Sequence, residues 1–215
     1  MLRFTLFGFP VQIHWLFWVT CAILGGGFYA RGPEDWLRIA IWTAVVLVSI
    51  VVHELGHALA GRRYGGRPSI LLHGLGGLTI LPGLRLDRGR SILLSLAGPL
   101  AGLALGGLTL LAAPLLVTSE PLARYTLASL LYVNIFWSFF NLLPILPLDG
   151  GQIMRSLLGP TRRRQSAIVG TAVAGLLAAL ALAIGQWILA IFFAVLAYGN
   201  YRESGQIQGG VYKPG

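Results

Sequence analysis

Apolar residues run along this chain in long blocks, separated by short stretches rich in Gly, Pro and Arg. Crossing the hydrocarbon core of a bilayer takes about 20 mostly apolar helical residues. Six blocks meet or approach that length: residues 11–29, 36–60, 91–117, 125–143, 166–184 and 186–198. The last is short and only Gly185 separates it from the fifth, so the two are expected to form a tight hairpin or one irregular unit. The first block follows Arg3, as a secretory leader would. Its length and its bulky Trp15, Trp18 and Phe28 mark it instead as a retained span.

One apolar stretch, residues 68–82, is too short to cross and is cut by Gly74, Gly76 and Gly77. Two β-prone pieces around a glycine turn predict a hairpin that dips into the membrane. Non-helical backbone at that depth has to rest against protein or a wet cavity. The predicted fold class is therefore an all-α polytopic membrane protein with about six transmembrane helices and a short re-entrant β-hairpin. With no linker or low-complexity tract in view, residues 1–215 read as a single domain.

Composition agrees with the pattern. Hydrophobic residues make up 56% of the 215 and charged residues 11%, against about 25% charged in soluble domains. The net charge of +9 could point to nucleic acid, but its placement gives a simpler account. Residues 61–90 hold six arginines and one acid, Asp87; residues 154–164 hold four arginines and no acid; the loops around Arg31–Asp35 and Glu120 are nearly neutral. Such alternation is what the positive-inside rule produces. It predicts both termini in the cytoplasm, a multi-pass protein of the plasma membrane, the lipid bilayer as partner and no nucleic acid. The lone cysteine, Cys21, excludes an intramolecular disulfide and a cysteine-based zinc site.

Chemistry enters with His53-Glu54-Leu55-Gly56-His57, near the cytoplasmic end of the second span. On a helix, positions i and i+4 share a face, so both imidazoles can grip one ion, with Glu54 beside them. Zinc held by three protein ligands acidifies the water in its fourth position, and a neighbouring carboxylate can take the proton. A solvated helix face is the bland alternative. It fits poorly, because an acid at mid-bilayer costs about 2.5–3.5 kcal/mol on insertion scales. For a third ligand the chain offers few groups, having seven acids and four histidines. Asp149 follows the fourth span at its predicted cytoplasmic end, the side on which His57 also lies. Asp87 sits among arginines as a pairing or solvated group, and His14 and His73 read as hydrogen-bonded packing residues. On the fourth span, Asn134, Ser138 and Asn141 share one face.

These residues resemble the site-2 protease family of intramembrane zinc metalloproteases. That family pairs H-E-x-x-H with N-x-x-P-x-x-x-L-D-G, and Asn141-Leu-Leu-Pro144-Ile-Leu-Pro-Leu148-Asp149-Gly150 carries every fixed position of the second motif. Phe7–His14, the glycines from His73 to Leu78, and Ser95-Leu-Ala-Gly98-Pro99 add weaker likenesses. The resemblance implies one zinc per chain, held by His53, His57 and Asp149, with Glu54 as general base. It also implies a membrane-anchored protein as substrate and leaves room for a homo-oligomer; the compact chain and its basic loops fit a prokaryotic plasma membrane. Asn141 is read as a substrate-backbone or oxyanion contact, Asn134 and Ser138 as packing. Gly102 departs from the asparagine that many members carry there and is assigned no chemistry. The rival readings are a membrane zinc transporter and a catalytically inactive scaffold.

Overall fold

A computed structural model describes residues 1–115 and 120–208. The end of the predicted span 91–117 lies outside the described residues. Two compact units emerge, one comprising Met1–Arg85 with Ala97–Phe139, the other Leu86–Leu96 with Phe140–Gly215.

The first unit opens with two strands, β1 (Leu2–Leu6) and β2 (Phe9–Ile13), turning at Phe7-Gly8, where both residues have positive φ. Helix α1 (Trp15–Leu24) follows, then the long α2 (Pro33–Arg63). Strands β3 (Ser69–His73) and β4 (Gly76–Ile80) form the predicted hairpin. It does not stand alone. β3 pairs in parallel with β2, so the four strands make one sheet in the order β1-β2-β3-β4. The fold is mostly helical, and the all-α expectation is corrected by this N-terminal half of the sheet.

The predicted span 11–29 changes with it. Val11–Ile13 belong to β2, and α1 keeps 10 residues, about 15 Å at 1.5 Å per residue, half of a hydrocarbon core about 30 Å thick. Strand geometry wins here because β2 alternates. Phe9, Val11 and Ile13 are buried, whereas Pro10 and Gln12 are not. The buried set packs with Phe17, Cys21, Ile50, Ala58, Ile70 and Leu72 into one core under the sheet.

Helix α2 starts at Pro33, whose missing N–H costs nothing at that position. The Asp35 carboxylate accepts the N–H groups of Arg31 and Gly32 at 2.9 and 3.2 Å. The helix ends where Gly65 takes a φ of 86° and the Gly66 N–H returns to the Gly61 carbonyl at 2.9 Å, the left-handed stop that favours glycine. Helix α3 (Arg88–Ala112) is capped by Asp87, which accepts the Arg90 N–H at 2.9 Å and pairs with the Arg90 side chain at 3.2 Å, in the open. Helix α4 (Pro121–Asn141) carries the polar stripe. Buried Asn134 donates to the Ser49 hydroxyl at 2.9 Å, and the Ser138 hydroxyl donates to the Asn134 carbonyl at 2.6 Å.

In the second unit, α5 (Asp149–Leu158) is a short helix where the sequence predicts a loop. Helices α6 (Arg163–Ala183) and α7 (Trp187–Gln208) form the expected hairpin, turning at Gly185 with φ 76°. Their core gathers Ile145, Ala174 and Phe193 with Phe140 and Phe192 around them. By length and composition, three helices among the described residues can cross a membrane: α2, α3 and the Pro160–Ala183 stretch containing α6. Helices α4 and α7 have the length but are not apolar enough along it to count among them.

Candidate metal centre

The site grows from the C-terminal third of α2. His53, Glu54 and His57 are all buried, at 5%, 4% and 8% exposure. The imidazoles stand nearly edge to face at 76°, and their Nε2 atoms are 3.2 Å apart. Two nitrogens on one tetrahedral zinc, each bonded at about 2.0–2.1 Å, lie about 3.3–3.4 Å apart. The spacing thus suits a shared ion.

Glycines make the room. A Cβ added at Gly98, on α3, would collide with Nε2 of both histidines. A Cβ at Gly77, on β4, would collide with the Glu54 carboxylate, and one at Gly56 would strike the Ala97 carbonyl of α3. β4 also holds the acid directly. The Thr79 hydroxyl lies 2.6 Å from Glu54 Oε2, to which it donates, and 3.1 Å from the Glu54 carbonyl oxygen. Gly77 and Thr79 are two apart on a strand and so face the same side.

In the second unit, Asp149 opens α5, and the two glycines after it are buried. A Cβ at Gly150 would overlap the Leu142 carbonyl and one at Gly151 would lie 2.6 Å from the Ile145 carbonyl carbon, so the segment before Asp149 folds back tightly on the helix start. His53 and His57 each offer one imidazole nitrogen as a ligand atom, and Asp149 offers a carboxylate oxygen. Two imidazoles and a carboxylate are a common donor set for catalytic zinc.

Asn141 is the last residue of α4 and is half-buried. His14 caps α1, its Nδ1 accepting the Leu16 N–H at 3.3 Å, and His73 Nδ1 accepts the Leu75 N–H at 3.2 Å in the hairpin turn. The sequence reading did not single out Thr79. A period of two puts Gly77 and Thr79 on one face, but which face meets α2 depends on how the sheet is assembled.

A family model described as Peptidase family M50 matches residues 111–184, which include the Asn141–Gly150 motif. The zinc metalloprotease MJ0392 of Methanocaldococcus jannaschii is 30% identical over 159 residues, 72% of this chain and 44% of that protein. The putative zinc metalloprotease Rip3 of Mycobacterium tuberculosis is 34% identical over 190 residues, 81% of this chain and 48% of that protein. A solved structure of the site-2 protease from M. jannaschii superposes with a TM-score of 0.68 at 28% identity, covering 94% of each chain. The chain belongs to the site-2 protease family, peptidase family M50. It is a membrane protein, and it spans a little under half the length of the curated relatives it matches.

Proposed function

We propose that this chain is an intramembrane zinc metalloprotease that hydrolyses peptide bonds in or near the transmembrane segments of membrane-anchored proteins. The observation that carries the reading is the buried imidazole pair with Glu54 beside it, to which Asp149 adds the carboxylate of a zinc donor set. His53, His57 and Asp149 would hold the metal. Zinc, when bound, polarises a carbonyl and acidifies a water. Glu54 takes a proton from the attacking water and passes it to the leaving amine. The Thr79 hydroxyl fixes which carboxylate oxygen is free for that proton, since Oε2 is already engaged. Asn141 offers an amide to the substrate backbone or the developing oxyanion.

A helical substrate hides its carbonyls in hydrogen bonds to the residue four positions on, so it must unwind before attack. β4 is an end strand, with no strand on its outer side among the described residues. In the two-residue hairpin His73 and Gly76 form the closing pair. Pairing then alternates, and Gly77 and Thr79 turn their backbone groups outward, beside Glu54. A substrate strand added there would replace its lost helical bonds next to the general base.

The six-span topology, with both termini in the cytoplasm of a prokaryotic plasma membrane, draws support from the arginine-rich loops. α1 takes part in it with the turn that follows, in a locally thinned bilayer.

The reading predicts one zinc per chain and chelator-sensitive cleavage of a transmembrane test substrate in proteoliposomes. A chain that binds no zinc, or that moves zinc across the vesicle wall and cuts nothing, overturns it. Thr79→Val should keep zinc and lower kcat about tenfold, as loss of a hydrogen bond to a charged group worth about 1.5 kcal/mol would do. An unchanged kcat would remove Thr79 from the account of the base.

A further inference from the structure

Helices α6 and α7 carry none of the metal-capable group, yet α7 commits a buried amide to the segment that leads to Asp149. Asn200 is 2% exposed. Its Nδ2 donates to the Leu146 carbonyl at 2.7 Å and to the Leu196 carbonyl, one turn back, at 2.8 Å. Its Oδ1 accepts the Leu146 N–H at 3.2 Å. One side chain thus holds both backbone groups of one residue, as a neighbouring strand would. Leu146 is buried, so those groups have little water to turn to.

The surroundings are built for this clamp. A Cβ at Gly170, on α6, would collide with Asn200 Oδ1. Three residues beyond Asn200, Glu203 pairs with Arg155 in the last turn of α5. α7 therefore grips the Asp149 segment on both sides, at Leu146 before the acid and at Arg155 after it. The segment needs such help. Residues 142–148 contain Pro144 and Pro147 and belong to no helix or strand. An unsupported loop of that kind opens easily, whereas a metal ligand has to be held to within about 0.5 Å.

We propose that Asn200 is a positioning residue for Asp149, fixing the Leu146 peptide so that the carboxylate is presented ready to ligate. The inference rests on the metalloprotease reading and deepens it by giving the last two helices a task in the metal site. It is tested on the full chain in lipid nanodiscs, comparing wild type with Asn200→Leu, Asn200→Asp, Asp149→Ala and Leu196→Ala. Zinc affinity is read by competition with a chromogenic chelator, ligand geometry by the visible spectrum of the cobalt-substituted protein, and stability by thermal unfolding. Asn200→Leu and Asn200→Asp should weaken zinc about 10- to 100-fold, the usual range for losing a group that orients a ligand, and should shift the cobalt bands. Leu196→Ala, which trims core packing on the same helix and keeps the clamp, should lower the melting temperature and leave affinity and bands in place.

If the Asn200 variants lower only the melting temperature, as Leu196→Ala does, the residue is merely structural and the inference falls. If Asn200→Leu does not fold, Gly170→Ala decides the matter. It keeps Asn200 but displaces Oδ1, and the same loss of affinity is expected; full affinity would overturn the proposal. Should Asp149→Ala bind zinc as tightly as wild type, the ligand assignment itself fails, an outcome separate from any result at Asn200.

Discussion

Glu54→Gln should keep its zinc and lose about 10²- to 10⁴-fold in cleavage rate, the usual contribution of a positioned general base. Glutamine has nearly the same shape and still presents an oxygen to the Thr79 hydroxyl, which lies 2.6 Å from the carboxylate. The imidazoles of His53 and His57 are untouched, so metal content measured on the purified variant should equal that of wild type. What disappears is the proton acceptor. Cleavage of a transmembrane substrate in proteoliposomes, followed by mass spectrometry of the products, reads the loss directly. A normal rate would end the role given to Glu54. A zinc transporter, by contrast, would keep its flux with this substitution.

The second large effect comes from a residue that has no chemistry of its own. Gly98→Ala should lower zinc affinity at least about 100-fold, the upper end of what disturbing the groups around a metal ligand costs. The added Cβ would occupy space now taken by Nε2 of both histidines, and the imidazoles would have to rotate out of their shared geometry. Backbone preference pushes the other way, since glycine to alanine inside a helix favours the helix by about 0.5–1 kcal/mol. Lost zinc binding together with an intact or higher apo-protein melting temperature would therefore isolate the steric cause. Gly107→Ala, farther along α3 where a Cβ meets open space, is the matched control: it should show the same gain in helix stability and leave zinc affinity unchanged. Equal zinc affinity in wild type and Gly98→Ala would show that the imidazoles do not need the cradle.

What could be read from the sequence follows from how local each signal is. The His53–His57 pair depends only on helical spacing, and the buried pair in α2 has that spacing. The hairpin over residues 68–82 was legible because glycines break an apolar run there. The two N-terminal strands were not, although Phe9, Val11 and Ile13 alternate with Pro10 and Gln12. That alternation is short and runs straight into the apolar residues of α1, so a single long helix absorbed it. Helix α5 escaped notice because Gly150 and Gly151 are poor helix formers; close packing against the Leu142 and Ile145 carbonyls requires them there. Asn200 stands between Tyr198 and Tyr201 near the end of an apolar helix, where a polar residue ordinarily marks the membrane surface. Its bond to Leu146 joins residues 54 apart in sequence and is set by the tertiary fold.

The brevity of α1 has a physical result for the lipid around it. A helix of 10 residues, followed by a turn and preceded by strands, cannot match a full-thickness apolar slab. If α1 lies in the bilayer as proposed, acyl chains beside it would have to shorten or splay, and the aqueous phase would dip towards the sheet. Hydrolysis consumes a water for every bond cut, and a dent of this kind would deliver it from the side without a pore bored through the helices.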